Sequence, residues 1–193
     1  MARALLVIDV QNDFTEGGAL GVDGGAAVAE GITRFLQENP GRYDLVVASR
    51  DWHHGDDDNG GHFATGEDPD YVTTWPRHCV GGTPGAEYHP ALDTSLIDMH
   101  VRKGQGVPAY SIFEGTTDDG LAFTEALDRL GVTEVDVVGI ATDYCVRASA
   151  LDALGAGREV TVLDDLVAAV NPVSGAAALV EVEDAGGRVR SSR

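Results

Sequence analysis

Short, fully apolar runs rich in Val, Ile and Leu recur along the chain, and segments with helical spacing separate them. Each run is too short for a helix and too uniformly apolar for a strand with one wet face. Such runs read as strands buried on both faces, which occurs where a parallel sheet carries helices on either side. The first strand spans Ala4-Leu5-Leu6-Val7-Ile8-Asp9-Val10. A helix follows over 26–38 and stops at Asn39-Pro40-Gly41. Leu45–Ala48 is a second strand, Met99–Arg102 a shorter third, Val135–Ile140 the fourth and Val160–Leu163 the fifth. Helices are expected over 121–130, over 143–154 with Gly155 and Gly157 beyond it, and from Asn171-Pro172 to about Asp184. Val189 belongs to a sixth, edge strand.

This alternation predicts an α/β fold of three layers, α/β/α, around a mostly parallel six-stranded sheet. The 193 residues suit one domain, 1–193. The exception to the pattern is 51–95. Loops that long inside a compact domain are functional or disordered. This one holds five of the six histidines and both tryptophans.

In open parallel sheets, ligands bind beyond the carboxyl ends of the strands. Asp9, Asp51, Lys103 and the segment Ala141–Cys145 all fall at such ends. Cys145 follows the fourth strand through a tight turn and opens a helix, where the macrodipole and free N–H groups would lower its pKa and favour thiolate. The same N–H groups, near Ala141 and Cys145, would hold a developing oxyanion. Asp9, a carboxylate ending an apolar strand, reads as a general base with its pKa raised by burial. Of 13 basic residues, 12 are arginine and Lys103 is the single lysine. GC-rich codon usage or salt adaptation accounts for the general shortage of lysine, but not for the exception. A compact ammonium fits beside a small nucleophile where a guanidinium fork does not.

Asp51-x-His53-x8-His62-x15-His78 supplies one carboxylate and three imidazoles, a donor set suited to one divalent ion such as Zn²⁺, Fe²⁺ or Mn²⁺. His54 and Asp56-Asp57-Asp58 leave the choice of ligands open on spacing alone.

The formal net charge of −19 disfavours nucleic-acid backbones and anionic membrane surfaces as partners. No basic-then-apolar leader precedes the first strand, so a cytoplasmic location is expected. The two cysteines, Cys79 and Cys145, allow either one bridge or two free thiols, the latter suiting a reducing compartment.

Seven stretches, in order, resemble the nicotinamidase/pyrazinamidase group of the isochorismatase-like cysteine hydrolases. They are Val7–Phe14 (VIDVQNDF), Arg50–His53 (RDWH), Gly61–Phe63 (GHF), Trp75–Cys79 (WPRHC), Arg102–Gly104 (RKG), Tyr110–Phe113 (YSIF) and Val138–Val146 (VGIATDYCV). The resemblance implies Asp9, Lys103 and Cys145 as a catalytic triad, and Asp51, His53, His62 and His78 as metal ligands. It implies a cis peptide at Ile140–Ala141 and a strand order of 3-2-1-4-5-6. Phe14, Leu20, Trp75, Tyr110 and Tyr144 would line a ring pocket, with Tyr144 standing where some members carry histidine. The implied activity is hydrolysis of nicotinamide to nicotinate and ammonia, and of pyrazinamide likewise, in NAD salvage. The rival readings are a related amidase acting on another small amide or carbamoyl compound, and a non-catalytic thiol or metal module that senses redox state. A substrate panel and ammonia release discriminate among them.

Overall fold

Side chains of the first strand point alternately into two separate cores. A computed structural model, which describes every residue except Met1 and Glu67, shows how this divides the molecule. In β1 (Ala2–Ile8), Ala4, Leu6 and Ile8 pack on one face of the sheet, and Leu5 and Val7 on the other. The second face is covered by α1 (Gly25–Glu38) through Val28, Ala29, Ile32, Phe35 and Leu36. The first face is covered by α2 (Phe123–Arg129), α3 (Arg147–Gly155) and α4 (Pro172–Asp184), which contribute Phe123, Leu127, Ala150, Ala153 and Val182. The three-layer arrangement follows from this burial on both faces.

The remaining strands are β2 (Leu45–Asp51), β3 (Met99–Lys103), β4 (Thr116–Thr117), β5 (Val132–Ile140), β6 (Glu159–Ala168) and β7 (Arg188–Arg190). Among the described residues the sheet has seven strands in the order β4-β3-β2-β1-β5-β6-β7, not six. The extra member, β4, pairs antiparallel with β3 through Val101–Thr117 and Arg102–Thr116; every other pairing is parallel. Two threonines carry no periodic signal, so only the exposed edge of β3 defines this strand. Without it, the order is the expected 3-2-1-4-5-6.

The second correction concerns the start of the expected helix over 143–154. The chain first makes a π-helical turn, Thr142–Val146, and α3 begins only at Arg147. The amides of Tyr144 and Val146 both donate to Ala141 O at 3.1 Å, so the Cys145 N–H between them is not the donor to that carbonyl. Such turns recur at functional sites because they displace one backbone group from the helical ladder.

Helix ends are closed by local chemistry. α1 starts after Gly24 with no capping side chain of its own; instead Glu16 accepts from Gly24 N at 2.7 Å and Ala26 N at 2.9 Å. Asn171 caps α4 by accepting from Val173 N at 2.8 Å, with Pro172 in the first turn. Among the described residues, no helix is long and apolar enough to cross a membrane.

The irregular segment after β2 is fastened by isolated bridges, His53 to Val80, Phe63 to Trp75 and Gln11 to Tyr88. Side chains from the first stretch add to them. Asp13 accepts from Cys79 N at 2.7 Å. Gln11 donates to Asp51 O and accepts from Asp51 N, each at 2.9 Å. The segment is therefore held against the ends of β1 and β2.

Candidate active site

Four neighbouring strands, β3, β2, β1 and β5, end along one rim, and each delivers a polar group there. Asp51 and Lys103 are direct register partners in β2 and β3. Asp9 follows β1 with a left-handed φ of 47°, a conformation that aspartate tolerates better than most residues. β5 reaches the rim through Gly139, whose φ is +116° and where a Cβ would stand 2.1 Å from Ile8 O. Only glycine allows the two strands this approach, which sets the Cys145 turn beside Asp9. The Ile140–Ala141 peptide is cis.

Lys103, 1% exposed, joins these ends. Its Nζ lies 2.9 Å from Asp9 Oδ2 and 3.7 Å from Cys145 Sγ, and it ion-pairs with Asp51 as well. Ser49 Oγ donates to the other Asp9 oxygen at 2.7 Å. Asp9, Asp51, Lys103, Cys145 and Ser49 are all buried, so the charges among them act through little water. Burial pushes the Asp9 carboxyl above its usual range, against the pull of Lys103. Burial would discharge Lys103, but Asp51 and Asp9 hold its pKa well above the ordinary value. Asp51 is likewise opposed by burial, yet the Lys103 charge and the adjacent imidazoles keep it well below the usual carboxylate range.

Cys145 departs from the sequence expectation. Burial first, with Asp9 and Asp51 adding to it, pushes the thiol well above its usual pKa, and Lys103 only partly offsets this. Burial therefore opposes the thiolate here, next to the Asp9 carboxyl. Both cysteines are free.

His53, His62 and His78 present nitrogens that all lie within 4.8 Å of one another, and all three residues are buried. His53 Nδ1 bonds Gly104 O and His78 Nδ1 bonds Pro76 O, each at 2.7 Å, which turns the Nε2 atoms of both rings inward. His53 Nε2 and His62 Nδ1 are buried without hydrogen-bond partners. Asp51 Oδ2 stands 3.5 Å from His53 Nε2 and 3.8 Å from His78 Nε2, beyond good hydrogen bonds. Burial and the neighbouring imidazoles lower the His62 pKa to about 4, so the ring is neutral at working pH. Orphaned buried nitrogens converging beside a carboxylate fit a divalent metal ion. His54 is outside the cluster, exposed, with its Nδ1 3.1 Å from Asp57 Oδ2.

Above the thiol and the imidazoles opens a cavity of about 340 Å³. Phe14, Leu20, Trp75, Tyr110 and Tyr144 all line it, together with Ala141 and Cys145. Trp75 Nε1 donates to Tyr110 OH at 3.1 Å, and the Trp75 ring meets Tyr144 edge-on with centroids 5.3 Å apart. These contacts build a rigid aromatic wall suited to a flat ring. Sequence reasoning missed Ser49 and Gln11, which hold Asp9 and Asp51, and Tyr71 and Val170, which line the mouth. Gln11 lies inside the first recognised stretch and was accessible that way. Ser49, Tyr71 and Val170 stand in segments that carry no motif.

The isochorismatase domain family matches residues 3–193. A nicotinamidase/pyrazinamidase of Mycobacterium tuberculosis is 50% identical over 183 residues, which cover 95% of this chain and 95% of that protein. Among solved structures, a pyrazinamidase of Pyrococcus horikoshii in complex with zinc is 37% identical, with a TM-score of 0.82 and 99% of each chain covered. PnC1 from L. infantum, in complex with nicotinate, is 35% identical with a TM-score of 0.83, covering 99% of this chain and 93% of that one.

Proposed function

The chain belongs to the isochorismatase family, and from that membership we propose that it is a metal-dependent cysteine amidohydrolase that converts nicotinamide to nicotinate and ammonia. Pyrazinamide, whose ring is nearly isosteric, is turned over to pyrazinoate. The observation that carries this reading is the joining of Cys145 Sγ and Asp9 through Lys103, at 3.7 and 2.9 Å, where Cys145 lines the same cavity as Asp51, His62 and His78.

In this mechanism Asp9 accepts the Cys145 proton as sulfur attacks the carboxamide carbon. Lys103 steadies the thiolate as it forms and keeps Asp9 ionised until that moment. The N–H groups of Cys145 and Ala141 receive the oxyanion. The carbon–nitrogen bond then breaks, and the nitrogen takes the proton from Asp9 and leaves as ammonia. Water attacks the resulting thioester and gives a proton to Asp9. The carbon–sulfur bond breaks, Asp9 returns the proton to sulfur, and the acid departs as carboxylate, its remaining proton passing to solvent.

Asp51, His53, His62 and His78 would hold one divalent ion. When bound, it supplies a fixed positive centre that orients a ring nitrogen, directly or through a coordinated water. Phe14, Leu20, Trp75, Tyr110 and Tyr144 hold the ring. On this reading the chain is a single domain over 1–193, with a metal-binding segment at 51–95, that serves a small-molecule substrate in cytoplasmic NAD salvage.

The test is Cys145→Ala with nicotinamide. Ammonia release should vanish while circular dichroism and bound metal stay at wild-type levels. Turnover near wild type would remove the mechanism. Turnover of another small amide, with nicotinamide inert, would leave the related-amidase reading in its place.

A further inference from the structure

Asp143 has no place in the chemistry above, yet its carboxylate makes three bonds to one segment distant in sequence. Val170 N donates to Oδ1 at 3.0 Å, Asn171 N to Oδ2 at 3.1 Å and Ser174 Oγ to Oδ2 at 2.6 Å. Asp143 belongs to the π-helical turn that carries Cys145, and the segment it grips links β6 to α4. This link crosses the rim because the end of β6 pairs with the end of β5, Gly139 with Val167 and Ile140 with Ala168. Gly175 keeps the approach close: a Cβ there would stand 2.4 Å from Ala169 Cβ.

Val170 is the member of the link that matters to the pocket. It is 54% exposed, and it lines the cavity together with Ala141, Tyr144 and Cys145. A half-exposed valine on an exposed connection has no packing of its own to hold it in register. Its position rests on the Asp143 bond to its own amide and on the two bonds beside it. Arg147 and Glu181 tie α3 to α4 separately, through paired contacts of 2.6 and 2.5 Å, so the two helices stay docked without Asp143.

We propose that Asp143 is a positioning residue that fixes the outer, Val170-bearing wall of the ring pocket against the nucleophile turn. The turn that carries Cys145 is held by its own backbone, since Tyr144 N and Val146 N both donate to Ala141 O, so the Asp143 side chain is not what sets the sulfur. Asp9 and Lys103 come from the ends of β1 and β3, and Asp143 bonds neither. Losing the clamp therefore weakens a contact made alike to bound substrate and to transition state, which raises KM and spares kcat.

The proposal rests on the nicotinamide reading, and the experiment separates the two. Asp143→Ala should raise KM for nicotinamide about tenfold with kcat within about threefold of wild type. Asp143→Asn keeps one acceptor for a backbone amide and gains a donor for Ser174 Oγ, so it should restore KM to within about threefold. Asn171→Ala is the control. It removes the cap of the same helix and lowers Tm, but leaves its backbone N–H on Asp143, so KM and kcat should hold. Amide exchange at Val170 and Asn171, followed by NMR, should quicken in Asp143→Ala and not in Asn171→Ala. An unchanged KM in Asp143→Ala, an equal rise in Asn171→Ala, or a fall in kcat at constant KM overturns the proposal. If wild type releases no ammonia from nicotinamide, the functional reading falls, and the exchange comparison alone judges the clamp.

Discussion

Ser49 and Asp9 hold each other from adjacent strands: Ser49 Oγ donates to Asp9 Oδ1 at 2.7 Å and accepts from Asp9 N at 3.3 Å. The serine fixes the carboxylate plane and favours its ionised form, against the burial that raises its pKa. In Ser49→Ala the proton is held more tightly, and a higher pH is needed to free the base. The acid limb of the kcat/KM profile for nicotinamide should move to higher pH, with the alkaline limb little changed. A stationary acid limb would show that Asp9 is not the group titrating there.

Lys103 pairs with two buried carboxylates, Asp9 and Asp51, so its loss has two consequences. Lys103→Met should lower kcat/KM about a thousandfold, because nothing steadies the developing thiolate. It should also destabilise the fold by about 3–5 kcal/mol, since Asp9 and Asp51 are left unpaired in a dry site. Lys103→Arg should not restore activity, because the guanidinium fork needs more room than an ammonium. Ammonia assays and urea titrations read both effects.

The imidazole cluster predicts a metal requirement with a defined ligand set. Dialysis against a chelator should abolish ammonia release, and a divalent ion added back should restore it. His62→Ala should lower metal affinity at least tenfold by elemental analysis after dialysis. His54→Ala, one position from His53 but exposed and outside the cluster, should retain the metal. Equal loss in both variants would move the ligand set elsewhere.

Toward the amino ends of the strands, Asp136 is 2% exposed and satisfies two partners. Arg3 donates to it at 2.7 and 2.9 Å, and Tyr43 OH at 2.6 Å. This group is remote from the chemistry. Asp136→Ala should cost about 2 kcal/mol in urea unfolding, because the Tyr43 hydroxyl and the half-buried Arg3 lose their acceptor. kcat and KM should be unchanged. A kinetic effect would show that the strand ends are coupled through β5.

The strands that build the rim were legible because fully apolar runs of Val, Ile and Leu have few other places to go. The runs containing Leu5-Leu6-Val7, Val46-Val47 and Val137-Val138 became central strands. The seven recognised stretches likewise pointed to the groups at the rim, since polar residues ending apolar strands are conspicuous. The two-residue strand β4 left no such trace. Thr116 and Thr117 are a strand only because Val101 and Arg102 offer them an unpaired edge. Tyr71 and Val170 were equally silent, since lining a pocket mouth depends on which distant segments converge there.

What the amino-acid order determined by itself was the layered α/β class, the sequence of strand ends and the identity of the groups they deliver. These follow from local periodicity and from side-chain chemistry, which each residue carries wherever it lies. The protonation state of Cys145 did not follow, because a pKa depends on the charges and the water around a group. The turn beginning at Thr142 promised a helix-start thiolate. The folded chain instead buries that sulfur beside Asp9, Asp51 and Lys103, and burial pushes its pKa up. The Asp143 clamp is tertiary in the same sense, because it brings together segments that meet only at the end of the sheet.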